Sequence, residues 1–138
     1  MQTIRLVNSS DEEQVRRGLS TEARVRAVEI EAVVRTSTTM LVLPGDVVSR
    51  LGLAQEGYRK VRYPGGRIAT LPWVGGIRIT VLGRDALVNA LVDAVGTKPV
   101  IGHIPLTALD LHVDPASGEL RPHPASPDAP LLDLLSVA

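Results

Sequence analysis

Between residues 28 and 34 the chain alternates, with Val28, Ile30, Ala32 and Val34 on one side and Glu29 and Glu31 on the other. Successive side chains of a strand point to opposite faces, so a period of two over this length makes a half-buried β-strand. Other short apolar runs follow at regular spacing, each closed by glycine or proline. Twelve glycines and ten prolines distributed this way over 138 residues predict one small all-β domain, a closed barrel or sandwich with one or two short helices.

The remaining elements are expected around that strand. Residues 2–7 form a short strand. Ser9 or Ser10 then caps a brief helix with Asp11, Glu12 and Glu13 in its first turn and Arg16 and Arg17 toward its end, which suits the helix dipole. A second apolar strand spans 40–43. Pro44 stands at the first position of a helix that Gly52 ends. The sequence PGG (64–66) joins extended runs at 58–63 and 67–71 as a hairpin. Gly83, Arg84 and Asp85 join 76–82 to 86–95 as another. Residues 100–102 make a strand stub and 104–109 a turn or two of helix. Residues 115–118 form a tight turn between 111–113 and 119–121. Residues 122–138 are a proline-rich C-terminal arm, extended as far as Leu131. Its apolar LLDLL segment either packs back on the domain or joins a dimer interface.

Composition narrows the function classes. Fifteen basic and fifteen acidic side chains cancel, so no nucleic acid is expected as partner, because phosphate binding needs a surplus of cations on one face. Aromatic residues are 2% of the chain, which leaves few stacking platforms and a core of Val, Leu, Ile and Ala. With no cysteine there is no disulfide, thiolate nucleophile or thiolate metal site. The N-terminus MQTIRLVNSSDEEQ lacks the plan of a signal peptide, and no apolar run approaches membrane-spanning length. A cytoplasmic protein with no membrane partner and no cofactor is the expectation.

Five segments together carry a resemblance. They are the strand and polar turn in VVRTSTTMLVLP (33–44), the following helix with LGL, PGGRIATLPWVGG (64–76), VIGH (100–103) running into IPLTALDLHVDP, and SGELRPHPASPD (117–128). From about Ile4 to Leu135 the chain resembles the retropepsin-like aspartic proteases, in particular the small bacterial single-domain members. The resemblance implies a small closed barrel, a flap hairpin with Gly65 and Gly66 at its tip, and a site bounded by Ile101, Gly102 and His103. It also implies an active-site turn reading Asp-Thr-Gly-Ala-Thr. Two such turns meet across a dimer axis, and two carboxyls share a proton to activate water.

Here the five positions are Arg35, Thr36, Ser37, Thr38 and Thr39. Thr36 and Thr39 fit the motif. Arg35 replaces the acid, Ser37 the glycine and Thr38 the alanine. A guanidinium has no acceptor lone pair and stays protonated, so it cannot act as a general base. Two Arg35 side chains at a dimer axis would also repel. The resemblance therefore implies a catalytically inactive homologue that binds a peptide or protein or acts structurally. Two alternatives stand beside it: an aspartic endopeptidase active as a dimer, an Asp-bearing partner subunit being one form of that, and a homodimerisation scaffold. An ion pair of Arg35 with Glu31 or Asp110 would mark it as a structural replacement, and an anionic ligand in an open cleft as a binding residue.

The other candidates have plainer readings. Asp46 opens a helix, Asp110 and Asp114 flank a turn, and Asp85 and Asp93 belong to a hairpin and a strand edge. His103, His112 and His123 lack metal-ligand spacing, so no metal is expected, and His103 is expected to hydrogen-bond at the rim of its turn. A Ser37–His103 nucleophile pair would need a third group to orient the imidazole, and the sequence offers none. Trp73 is expected to pack at the base of the flap-like hairpin.

Overall fold

Strand β1 (Gln2–Asn8) has a neighbour on each edge. It pairs antiparallel with β2 (Ala27–Val34), Leu6 opposite Val28, and antiparallel with β5 (Ile68–Val81), Leu6 opposite Ile79. In this computed structural model, which describes residues 1–132 and 134, the fold is mostly β with three short helices. From β2 the pairing passes to β7 (Val100–Ile101), then β3 (Leu41–Pro44), β6 (Arg84–Asp93) and β5, and so returns to β1. Among the described residues, strand β4 (Gln55–Arg62) pairs only with β5 and projects with it as a two-stranded ribbon, and β8 (Leu111–Val113) pairs with β9 (Leu120–Pro122) apart from the main sheet. No helix among the described residues is long and apolar enough to cross a membrane.

The alternation read from the sequence places the core. Ile4 and Leu6 from β1, Val28 and Ala32 from β2, and Ile77 and Ile79 from β5 are buried together with Leu41 and Leu43. Each fully buried leucine or isoleucine contributes about 2 kcal/mol. Helix α2 (Gly45–Leu51) adds Val47 and Leu51, and Gly52 ends it in the left-handed conformation (φ 62°). Pro44 is not the first helical residue but the residue before it, extended (ψ 152°) and still paired to Asp93 in the ladder. Helix α1 (Ser9–Arg16) is capped by Asn8 rather than by Ser9 or Ser10. The Asn8 side chain accepts from the Asp11 N–H (3.0 Å) and donates to the Leu51 carbonyl (2.8 Å), so it satisfies one helix start and the end of another.

Strand β5 is a larger departure. The stretches expected as separate strands at 67–71 and 76–82 are one strand of 14 residues. Pro72, opposite Tyr58, is accommodated in the exposed ribbon, and an irregularity between Val74 and Ile77 absorbs Gly75 and Gly76. At the far end the turn is only Leu82 and Gly83, both with positive φ (50° and 79°), so Arg84 opens β6 opposite Val81 instead of lying in the turn. Gly65 and Gly66 occupy the ribbon tip with φ of 93° and 94°, which the turn closed by Gly66 N–H to Tyr63 C=O (3.0 Å) requires.

Candidate functional site

Strands β2 and β3 are consecutive in the chain but do not touch as neighbours. Strand β7 lies between them, parallel to β2 and antiparallel to β3. The connection 35–40 must therefore arch over the end of β7, and β7 must continue out beneath it. Its backbone is tied there. Arg35 N–H donates to the Ile101 carbonyl (3.0 Å), and Thr38 N–H turns back to the Arg35 carbonyl (3.0 Å). From the other side, His103 N–H donates to the Thr38 carbonyl (2.7 Å) and Ile104 N–H to the Thr39 carbonyl (2.8 Å). Those two N–H groups open helix α3 (His103–Leu109) and would otherwise lack partners.

Gly102 makes the close approach possible. A Cβ there would lie 2.3 Å from the Met40 carbonyl oxygen, 2.5 Å from that of Thr38 and 2.8 Å from the Met40 nitrogen. Arg35, Ile101, Gly102 and His103 are thus brought to one place. Gly65 and Gly66 are not brought into the cavity that adjoins this loop. That cavity, about 480 Å³, lies between Thr36, helix α3 and the C-terminal arm.

Arg35 is exposed and forms no ion pair among the described residues. Both carboxylates suggested for it are engaged elsewhere. Glu31 accepts from the Thr3 hydroxyl across the β1–β2 pair. Asp110 accepts from the Ser126 hydroxyl and from the Leu131 N–H (2.9 Å), with Arg84 and His123 each 3.7 Å away. The ion pair that would have marked Arg35 as a structural replacement is therefore not formed among the described residues. No hydrogen bond joins the Ser37 hydroxyl to the His103 imidazole among those residues, and His103 contributes through its backbone.

All three histidines line the cavity. His112 and His123 stack, their ring centroids 4.4 Å apart and 14° from coplanar. No group of three His, Cys, Asp or Glu side chains among the described residues is arranged to hold a metal.

Sequence reasoning missed Arg84. It is 6% exposed, and its guanidinium donates to the carbonyls of Leu109 (3.3 Å), Asp110 (3.1 Å) and Ser126. It therefore joins the start of β6, the end of α3 and the arm. A signal was available. Ile77, Ile79 and Val81 face inward, and a two-residue turn sets residue 84 opposite 81, on the same face. The arm expected over 122–138 is held by Ser126 and Leu131, while the leucine side chains at 131, 132 and 134 are exposed. The rest of the LLDLL segment, Asp133 and Leu135, lies outside the described residues.

Asp110 is the hinge of this anchorage, left-handed (φ 55°) at the end of α3. The Ser126 hydroxyl foremost, then the Leu131 N–H and the charges of His123 and Arg84, hold its carboxyl below the ordinary value of 3.8 against an upward push from burial. A carboxyl lower in the folded than in the unfolded chain stabilises fully above about pH 4, and that contribution is lost as pH falls through the folded value. Thermal melts taken from neutral pH down to about pH 2 should therefore lose Tm more steeply in the native chain than in Asp110→Asn. Parallel curves would remove Asp110 from this role.

No protein-family model matches the chain, and no curated protein matches it as a relative.

Proposed function

We infer that the chain is a retropepsin-like domain without the catalytic acid, a closed barrel that serves as a peptide- or protein-binding or structural module. The observation that carries this reading is the backbone frame around 35–40. Gly102 sits under the loop with no room for a Cβ, the first N–H groups of α3 reach the Thr38 and Thr39 carbonyls, and β7 runs between β2 and β3. That frame holds the turn at which the resemblance expects the acid, and the side chain there is the exposed Arg35. The return of the pairing circuit to β1 supports the barrel.

The chemistry excludes the family's reaction at this turn. General-base activation of water needs a carboxylate that can accept a proton, and a guanidinium has only donors. What Arg35 can do is present a planar, permanently charged fork to a carboxylate or phosphate. The purified chain is expected to leave a mixed peptide library uncut at acid and neutral pH. The triple reversal Arg35→Asp, Ser37→Gly, Thr38→Ala supplies the expected motif in the same frame and is the matched comparison. Pepstatin-sensitive cleavage by the native chain would overturn the reading.

A further inference from the structure

The β4–β5 ribbon carries an uncompensated positive charge on a chain whose formal charge is zero. From 57 to 84 there is no acidic residue. The two arginines of that stretch nearer the body are paired, Arg78 with Glu12 (2.8 Å) and Asp85 (2.6 Å), and Arg84 as described. Arg59, Lys60, Arg62 and Arg67 take part in no ion pair among the described residues. Lys60 and Arg62 share a face with Tyr58 and Ile68, which are 61% and 58% exposed. On the other face the Arg59 guanidinium lies 4.8 Å from the Trp73 ring centre, and that of Arg67 lies 4.0 Å from the Tyr63 ring centre.

The outer edge of β4 has no strand beside it among the described residues. Alternate residues of such an edge leave backbone N–H and C=O groups unpaired, a template for one more strand. We propose that this edge takes up an extended acidic peptide segment as an added strand, with its carboxylates set against Arg59, Lys60 and Arg62. The charges choose among the occupants. A second copy of the chain pairing β4 with β4 would bring three cations against three cations, and like charges facing one another across a ladder destabilise it. The same side chains that bar self-association admit a strand of opposite charge. A single-stranded nucleic acid would leave the edge hydrogen bonds unused. It would also need free aromatic faces for base stacking, and arginine already covers one face of Trp73 and one of Tyr63. None of these side chains lines the cavity beside the 35–40 loop, so failure here leaves the pseudoprotease reading standing.

The test is fluorescence anisotropy at low ionic strength with a labelled peptide of about eight residues in the repeat Glu-Glu-Val-Val, which sets carboxylates on both faces of the strand, toward Arg59 on one and Lys60 and Arg62 on the other. Saturable binding is expected, weakened by about tenfold or more in Arg59→Glu/Lys60→Glu/Arg62→Glu and by a similar factor when alternate peptide nitrogens are methylated, which blocks strand addition. The corresponding lysine–valine peptide should not bind. Amide shifts in the labelled protein should fall on β4, and far-ultraviolet circular dichroism confirms that the triple variant folds. Undiminished binding of the methylated peptide, tighter binding of oligothymidylate than of the peptide, shifts confined to the 35–40 loop, or no binding of the glutamate peptide would each overturn the proposal.

Discussion

Arg84→Ala is expected to cost about 3–5 kcal/mol, a large share of the roughly 5–15 kcal/mol that holds a domain together. The guanidinium is buried and fans out to carbonyls on three segments, those of Leu109, Asp110 and Ser126, with the Asp110 carboxylate 3.7 Å away. Truncation strips those acceptors of their donor and leaves a void beneath the arm. Buried polar groups without partners cost more than the bonds that satisfied them were worth. Arg84→Lys keeps the charge but offers a point donor where a fork is needed, so its loss should be intermediate. Arg78→Ala breaks partly exposed pairs and should cost about 1 kcal/mol or less. Urea unfolding of the three variants followed by far-ultraviolet circular dichroism ranks them. A loss for Arg84→Ala no greater than that for Arg78→Ala would refute the keystone role.

Gly102→Ala comes second, with an expected cost of about 3 kcal/mol. The dihedrals are not the obstacle, since φ −94° and ψ −168° suit any residue. Space is. The added methyl would meet Met40 and Thr38 main-chain atoms at 2.3–2.8 Å, and backbone tied into the sheet and the start of α3 has little freedom to retreat. Gly18 provides the contrast, with φ 73° and nothing within 4 Å of a Cβ, so alanine there should cost only about 1 kcal/mol of backbone strain. Hydrogen exchange should show the amides of Thr38, His103 and Ile104 losing protection in Gly102→Ala first. Native protection at those three positions in a stably folded variant would mean that the loop does not rest on Gly102.

Local pattern carried the sequence reading where a few neighbouring residues decide the outcome. The alternation at 28–34, the glycines at 65 and 66, and the stub at Val100 and Ile101 each became the element expected. It lost ground where distant segments decide. Asn8 wins the cap of α1 because its amide also reaches Leu51, 43 positions away in sequence. The ribbon and the body hairpin share β5 because a bulge hides Gly75 and Gly76 inside one strand, although in sequence they read as a break. Around residues 35–40, the polar turn between two apolar strands was legible in the sequence. Its neighbours were not, because the salt partners of Asp110 and the isolation of Arg35 depend on where β6, α3 and the arm come together.

The placement of the aromatic residues has an optical consequence. Both tyrosines, Tyr58 and Tyr63, stand on or at the tip of the β4–β5 ribbon, the only tryptophan, Trp73, stands at its base between Gly57 of β4 and Leu91 of β6, and there is no phenylalanine. Intrinsic emission therefore watches the ribbon and the junction where it leaves the body, with the Arg59 cation close to the indole. A fluorescence melt of this protein would report the ribbon and its junction with β6 coming apart, at one end of the aliphatic interior. The same placement makes an occupant arriving at β4 visible without any label.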